Sequence, residues 1–224
     1  MSNDKEYAIA RVFKLWAKIG MMIVDGKRDA TKVADVLQSI LDNPRPWREE
    51  DGVIYFTVTS DGTKGEVWIK RLESKGFRVG EYAKHVLRSS GFQPTNGVMT
   101  EVAVLKGTLF KDNTRLTKKI RSEASAGTFT KRRKLSPPNP ELACLIRLMF
   151  TDKEIEVMGL VCIVTMHEPI IVSDSNPIIV SDSDPILLRV DRNDVGLWLT
   201  TCYGSPLIKW GRSDIGFAFA LSQD

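Results

Sequence analysis

Apolar positions in this chain follow two periods, and the changes of period mark where elements begin and end. Residues 53–59, Val-Ile-Tyr-Phe-Thr-Val-Thr, are all β-branched or aromatic, the composition of a pleated strand. Asp61-Gly62 follows as a turn, because glycine takes positive φ without a Cβ clash. After Gly65 the spacing becomes helical. Trp68, Ile69 and Leu72 make one apolar face, and Gly76 stands where a left-handed cap belongs. Phe77 and Val79 then turn inward from a short extended piece. This strand, turn and helix over 53–76 is the unit around which the rest of the chain is organised.

Upstream, Ile9, Val12, Phe13, Trp16, Ile19 and Ile23 define an amphipathic helix over 6–24, with Lys14 and Lys18 on its wet side. Asp29 can cap a second helix whose stripe is Val33, Val36, Leu37, Ile40 and Leu41. The short link at 25–28 predicts a helical hairpin over 1–45. It can pack on the main domain, act as a dimerisation or partner-docking module, or lie on a membrane surface; its polar face is too weakly basic to favour the last. Asn43-Pro-Arg-Pro46 stops the second helix, and 43–52 reads as a linker.

Downstream, 81–88 reads as a helix with Ala83, Val86 and Leu87 inward and His85 at the surface. Val98–Leu105 is a strand, expected to pair with 53–59. A helix over 114–125 turns Leu116, Ile120 and Ala124 inward and Arg115, Lys118, Lys119 and Arg121 to water. A flexible basic arm follows. Asn139-Pro140 opens a helix carrying Leu142, Leu145, Ile146 and Met149. Thr151-x-x-Glu154 is a capping box for a short helix closed by Gly159, and a buried strand runs over 160–166. Residues 195–202 and 215–221 are strand-like. The fold class is α+β: the helical hairpin, then a mixed α/β core over 53–224 with a strand-rich C-terminal third.

An eight-residue duplication interrupts the pattern. Pro169-Ile-Ile-Val-Ser-Asp-Ser-Asn176 is followed by Pro177-Ile-Ile-Val-Ser-Asp-Ser-Asp184. Two such short copies cannot build a solenoid core, so a surface loop or exposed hairpin is expected.

Composition narrows the class without naming a function. With 224 residues, 42% of them hydrophobic and 27% charged, the chain can bury a core without a metal or disulfide staple. Cys144, Cys162 and Cys202 are odd in number and sit among apolar neighbours, as reduced thiols of a cytoplasmic protein do. Lys5, Arg11, Lys14 and Lys18 interrupt any secretory h-region, and the longest apolar run, about 160–166, is too short to span a bilayer. The net charge of +4 implies no partner by itself.

Three stretches carry candidate chemistry. His167-Glu168, at a strand end, can serve as acid and base, although neighbours on a strand face opposite ways. Gly62, Thr63 and Gly65 precede a helix start, a geometry that binds anions, but they match neither the P-loop nor the dinucleotide pattern, and a plain turn is the simpler reading. Residues 111–134 hold nine Lys/Arg against two acids. Within them Lys118, Lys119, Arg121, Lys131, Arg132, Arg133 and Lys134 are the candidates for non-specific nucleic-acid contact. Asp174, Asp182, Asp184, Asp191 and Asp194 lack EF-hand spacing, so no metal and no cofactor is expected.

Phe56-Thr-Val-Thr-Ser-Asp-Gly62, Trp68-Ile-Lys-Arg-Leu72, Lys75-Gly-Phe-Arg78, Ala103-Val-Leu-Lys-Gly107, Ala143-Cys-Leu-Ile-Arg147, Met166-His-Glu-Pro169 and Gly216-Phe-Ala-Phe219 occur together. Through these motifs the chain from about residue 53 onward resembles a family of uncharacterised bacterial proteins known mainly from metagenomic sequence. The resemblance implies a bacterial cytoplasmic protein and carries no activity. Residues 125–131 and one copy of the repeat depart from its pattern as insertions. The reading is a non-enzymatic binding or regulatory protein whose partner is nucleic acid or another protein. The alternatives are a small hydrolase or transferase near His167 and Glu168, and an assembly protein, a homo-oligomer through its N-terminal helices.

Overall fold

The computed structural model describes residues 2–42, 45–171, 185–193 and 196–222, and the chain divides into two units, Met1–Pro46 and Trp47–Asp224. In the first unit, α1 (Ser2–Val24) and α2 (Ala30–Asp42) are joined by a tight turn. Gly26, at φ +69°, ends α1 with its N–H on the Ile23 carbonyl. Asp29 caps α2, its Oδ1 accepting from the N–H groups of Thr31 at 2.9 Å and Lys32 at 3.2 Å.

The second unit is built on one mixed sheet. Its strands are β1 (Trp47–Glu50), β2 (Val53–Asp61), β3 (Arg78–Val79), β4 (Asn96–Lys106), β5 (Leu135–Ser136), β6 (Cys162–Thr165), β7 (Ile170–Ile171), β8 (Pro185–Asn193), β9 (Gly196–Tyr203) and β10 (Ile215–Leu221). The order across the sheet is β1-β2-β4-β10-β6-β8-β9-β3, with β5 beside β10 and β7 beside β8. Most neighbours are antiparallel; β10–β6 and β3–β9 are parallel. The expected pairing of 53–59 with 99–105 is present, with Phe56 opposite Val102 and Val58 opposite Thr100.

Alternation along these strands sends side chains to two separate cores. Ile54, Phe56, Val58, Val102, Val104, Ile163, Leu188, Val190 and Ala218 point to one face. That face is covered by α3 (Gly65–Ser74), α4 (Glu81–Arg88), α6 (Leu142–Met149) and α7 (Asp152–Val157), which contribute Trp68, Leu72, Val86, Ile146 and Ile155. The opposite face holds Val53, Tyr55, Ala103, Leu105, Val164 and Phe217, under Ile120 and Ala124 of α5 (Thr117–Ser125) and under Phe110 and Trp210. The expected cluster of Phe56, Val58, Trp68 and Leu72 therefore lies in the first core. The capping box also forms: Thr151 Oγ1 accepts from Glu154 N–H at 3.3 Å, and Glu154 accepts from Thr151 N–H at 2.7 Å.

Several expectations are corrected. Trp47–Glu50 belong to the sheet as β1, not to a linker, because Trp47 pairs with Phe56 and packs on the first core. The basic helix begins at Thr117, three residues later than the spacing suggested. Arg115 consequently faces inward, buried, donating to Asp112 and, at 3.2 Å, to the Trp210 carbonyl. Residues 126–133 form a turn, not a free arm: Arg132 N–H reaches the Gly127 carbonyl at 3.1 Å and Arg133 N–H that of Thr130 at 3.0 Å. Of the duplication, the described part is its start, where Ile170 pairs with Ile186; 172–184, with Asp174, Asp182 and Asp184, lie outside the described residues, as does Asp194.

Candidate functional site

His167 is fully buried behind β6. Its Nε2 accepts from the Leu188 N–H at 3.0 Å, so the ring proton sits on Nδ1 and donates to the Glu168 carbonyl at 2.7 Å. Burial pushes its pKa down to about 4, which keeps it neutral. Both ring nitrogens are thus used inside the protein. The imidazole meets the main-chain carbonyl of Glu168, while the Glu168 carboxylate is 79% exposed and 3.9 Å from Arg121. The two residues lie between β6 and β7, and their side chains face apart, His167 buried and Glu168 exposed. The three thiols are also quiet: burial raises the pKa of Cys144, and pushes Cys162 and Cys202 up to about 12. Among the described residues no three His, Cys, Asp or Glu side chains are grouped to hold a metal.

At the turn before α3, Gly62 has φ +74°. Gly65 serves packing: a Cβ there would stand 1.7 Å from the Leu87 carbonyl oxygen. The negative group at this turn is the protein's own Asp61, which accepts from Thr63 N–H at 3.1 Å and from Arg71 at 2.5 Å. The Thr63 hydroxyl and Arg71 hold the Asp61 carboxyl below the usual range. Glu66 stands in the first turn of α3, so the helix start already has an acidic side chain of the protein beside it.

The seven basic candidates are used in different ways. Arg121 is turned inward, Nη2 donating to the His167 carbonyl at 2.6 Å, which corrects its expected place in water. Lys119 pairs with Glu123 at 2.9 Å, one turn away. Lys131 reaches Glu50 at 3.3 Å, and Arg133 grips Glu101 with bonds of 2.6 and 3.3 Å. Lys118, Arg132 and Lys134 are exposed and have no ion-pair partner among the described residues. Beside this loop, Thr57, Val98, Met99, Thr100, Glu101, Arg133, Ala220, Leu221 and Ser222 line an open groove of about 580 Å³ along β2 and β4 and at the end of β10.

The first unit presents a different surface. Near the turn, Ile19, Met22 and Ile23 of α1 and Val33 of α2 are partly covered. Farther along α1, Val12, Leu15 and Trp16 are each more than half exposed and Phe13 is 70% exposed; Met21 and Val24 are open as well. Large apolar side chains gathered in this way mark interaction surfaces. Among the described residues no helix is long and apolar enough to cross a membrane.

No protein-family model, curated protein or solved structure matches the chain.

Sequence reasoning did not foresee the carboxylates that meet the basic loop. Glu50 and Lys131 are 81 positions apart, and neither spacing nor composition links them. It also missed two buried charges. Arg147, with no exposure, pairs with Asp152 at 3.0 Å. Glu141 accepts from Thr95 N–H at 3.0 Å, tying α6 to the loop before β4. The only sequence signal for either was a charged residue among apolar neighbours in 141–149.

Proposed function

We propose that the chain is a non-enzymatic binding protein of the bacterial cytoplasm that assembles through α1 with a second copy of itself. The observation that carries this reading is the run of exposed apolar side chains on that helix. Val12, Trp16, Ile19 and Ile23 recur at four, three and four residues, the spacing of a two-helix seam; Val12 and Trp16 are more than half exposed, and Ile19 and Ile23 continue the line toward the turn, where they are partly covered. Phe13 flanks the seam and Trp16 sits within it, and aromatic anchors of this kind dominate interface energetics. Arg11, Lys14 and Lys18 lie off it and keep their water. The same seam on each copy is self-complementary, as a two-fold contact requires. His167, the best acid–base candidate, is saturated and neutral, which favours binding over catalysis. The cytoplasmic placement rests on the family resemblance and the scattered, unpaired cysteines. The test is the variant Phe13→Glu with Trp16→Glu: it should remain monomeric at concentrations where the unaltered chain associates, with circular dichroism showing the fold retained. Undiminished association of the variant would overturn the reading.

A second reading, weak non-specific nucleic-acid binding, is favoured by the exposed Lys118, Arg132 and Lys134, which have no ion-pair partner among the described residues. Replacing Lys131, Arg132, Arg133 and Lys134 with Ala should flatten the dependence of log affinity on log salt. Failure of the unaltered protein to retain DNA or RNA at about 50 mM salt, a condition that favours phosphate contacts, would remove this reading.

A further inference from the structure

We infer that Glu50 and Glu101 form an autoinhibitory cover on the basic loop, holding Lys131 and Arg133 away from a nucleic-acid backbone that would otherwise lie along the groove beside them. The inference rests on the nucleic-acid reading and adds its regulation.

The loop has a fixed shape. Lys131 and Arg132 are consecutive non-glycine residues at φ 53° and 73°, a region that side chains with a Cβ seldom occupy. The backbone bonds from Arg132 to Gly127 and from Arg133 to Thr130 hold them there. Gly127 is itself at φ +68°, and a Cβ on it would stand 2.8 Å from the Arg132 backbone. The backbone of the loop is therefore held beside the sheet, and two of its cations, Lys131 and Arg133, reach carboxylates there.

What they meet there is arranged as a phosphate would be. Arg133 gives Glu101 two N–H···O bonds, the fork that guanidinium also offers to a phosphate. Lys131 takes Glu50. Arg48 bridges both acids, 3.2 Å from Glu50 and 3.3 Å from Glu101, and lies 4.8 Å over the Tyr55 ring. Two carboxylates are thus shared among three cations from β1 and the loop, and the network links three separate segments. All of the partners are partly exposed, so a polyanion can displace the carboxylates without opening the core. Glu101 and Arg133 also line the groove, together with Thr57, Thr100 and Ser222. Removing the Glu101 charge would leave that groove with a cation and three hydroxyls along its walls.

The test uses the full chain, a fluorescent single-stranded DNA of about 20 nucleotides, and anisotropy titrations from about 50 to about 200 mM salt. Each phosphate neutralised on a single strand adds about 0.7 to the slope of log affinity against log salt. Glu50→Gln with Glu101→Gln should therefore steepen the slope by about 1.4 and tighten binding on the order of tenfold at about 100 mM salt. Glu50→Gln alone should give about half the change in slope. Adding Lys131→Ala and Arg133→Ala to the double variant should cancel the gain. If unaltered and variant proteins bind with the same slope and affinity, the cover is refuted and the nucleic-acid reading stands. A gain that survives loss of Lys131 and Arg133 also refutes the cover, because it does not come from the loop. If neither protein binds at about 50 mM salt, the nucleic-acid reading fails and takes the cover with it.

Discussion

Single residues in this protein show how position decides chemistry. His167 has the composition of a catalytic group and the surroundings of a structural one. Its two ring nitrogens hold β8 and the chain after β6 together, accepting from Leu188 and donating to Glu168. The burial that makes those bonds also makes its charge costly, and that sets a pH dependence. The unfolded chain protonates His167 near its ordinary 6.5, while the folded chain resists protonation down to about 4. Its contribution is complete above about 6.5, declines as pH falls toward about 4, and declines no further below that. The loss across this window should be on the order of 3 kcal/mol. Urea midpoints between these pH values should fall for the unaltered chain and fall less for His167→Gln. Equal pH slopes for the two would contradict the assignment. Gly65 makes the same point without charge: its sequence context suits an anion cradle, but its missing side chain is what admits the Leu87 carbonyl.

Elements were legible where periodicity was strong and illegible where tertiary partners decide. The strand at 53–59, the helix carrying Trp68 and Leu72, and the box at Thr151 and Glu154 follow from local rules, and each forms, the strand running on to Asp61. Arg115 could not be placed from sequence, because its side depends on a helix start three residues later and on Trp210, far along the chain. Trp47–Glu50 looked like a linker because charge dominates its composition. As a sheet edge, charge is what it needs, since an apolar edge would invite further strands. The basic stretch was legible as charge but not as a set of pairs, since Glu50 and Glu101 arrive from distant strands. Leu72 tests the element scale directly. It has no exposure and sits with Trp68 and Phe56 in the first core, so Leu72→Ala should cost about 2–5 kcal/mol, transfer plus cavity. A denaturation midpoint near that of the unaltered chain would show that the helix is not anchored there.

At the scale of the whole molecule the two units are built by different means. Trp47–Asp224 has a sheet with an apolar core on each face, and its alternating strand pattern is used on both sides. Met1–Pro46 places large apolar side chains in water. A helix of that kind owes little stability to its own propensity and most to what its apolar face packs against, and under the proposed assembly a second copy supplies that contact for α1. Association through a short seam is expected to depend on concentration. Sedimentation velocity of the unaltered 25.1 kDa chain, run up to about 100 μM, a range in which even micromolar self-association is populated, tests this most directly. The account predicts a shift with concentration from the mass of one chain to that of two, abolished in the Phe13→Glu, Trp16→Glu variant. A single species at the mass of one chain over the whole range would contradict it.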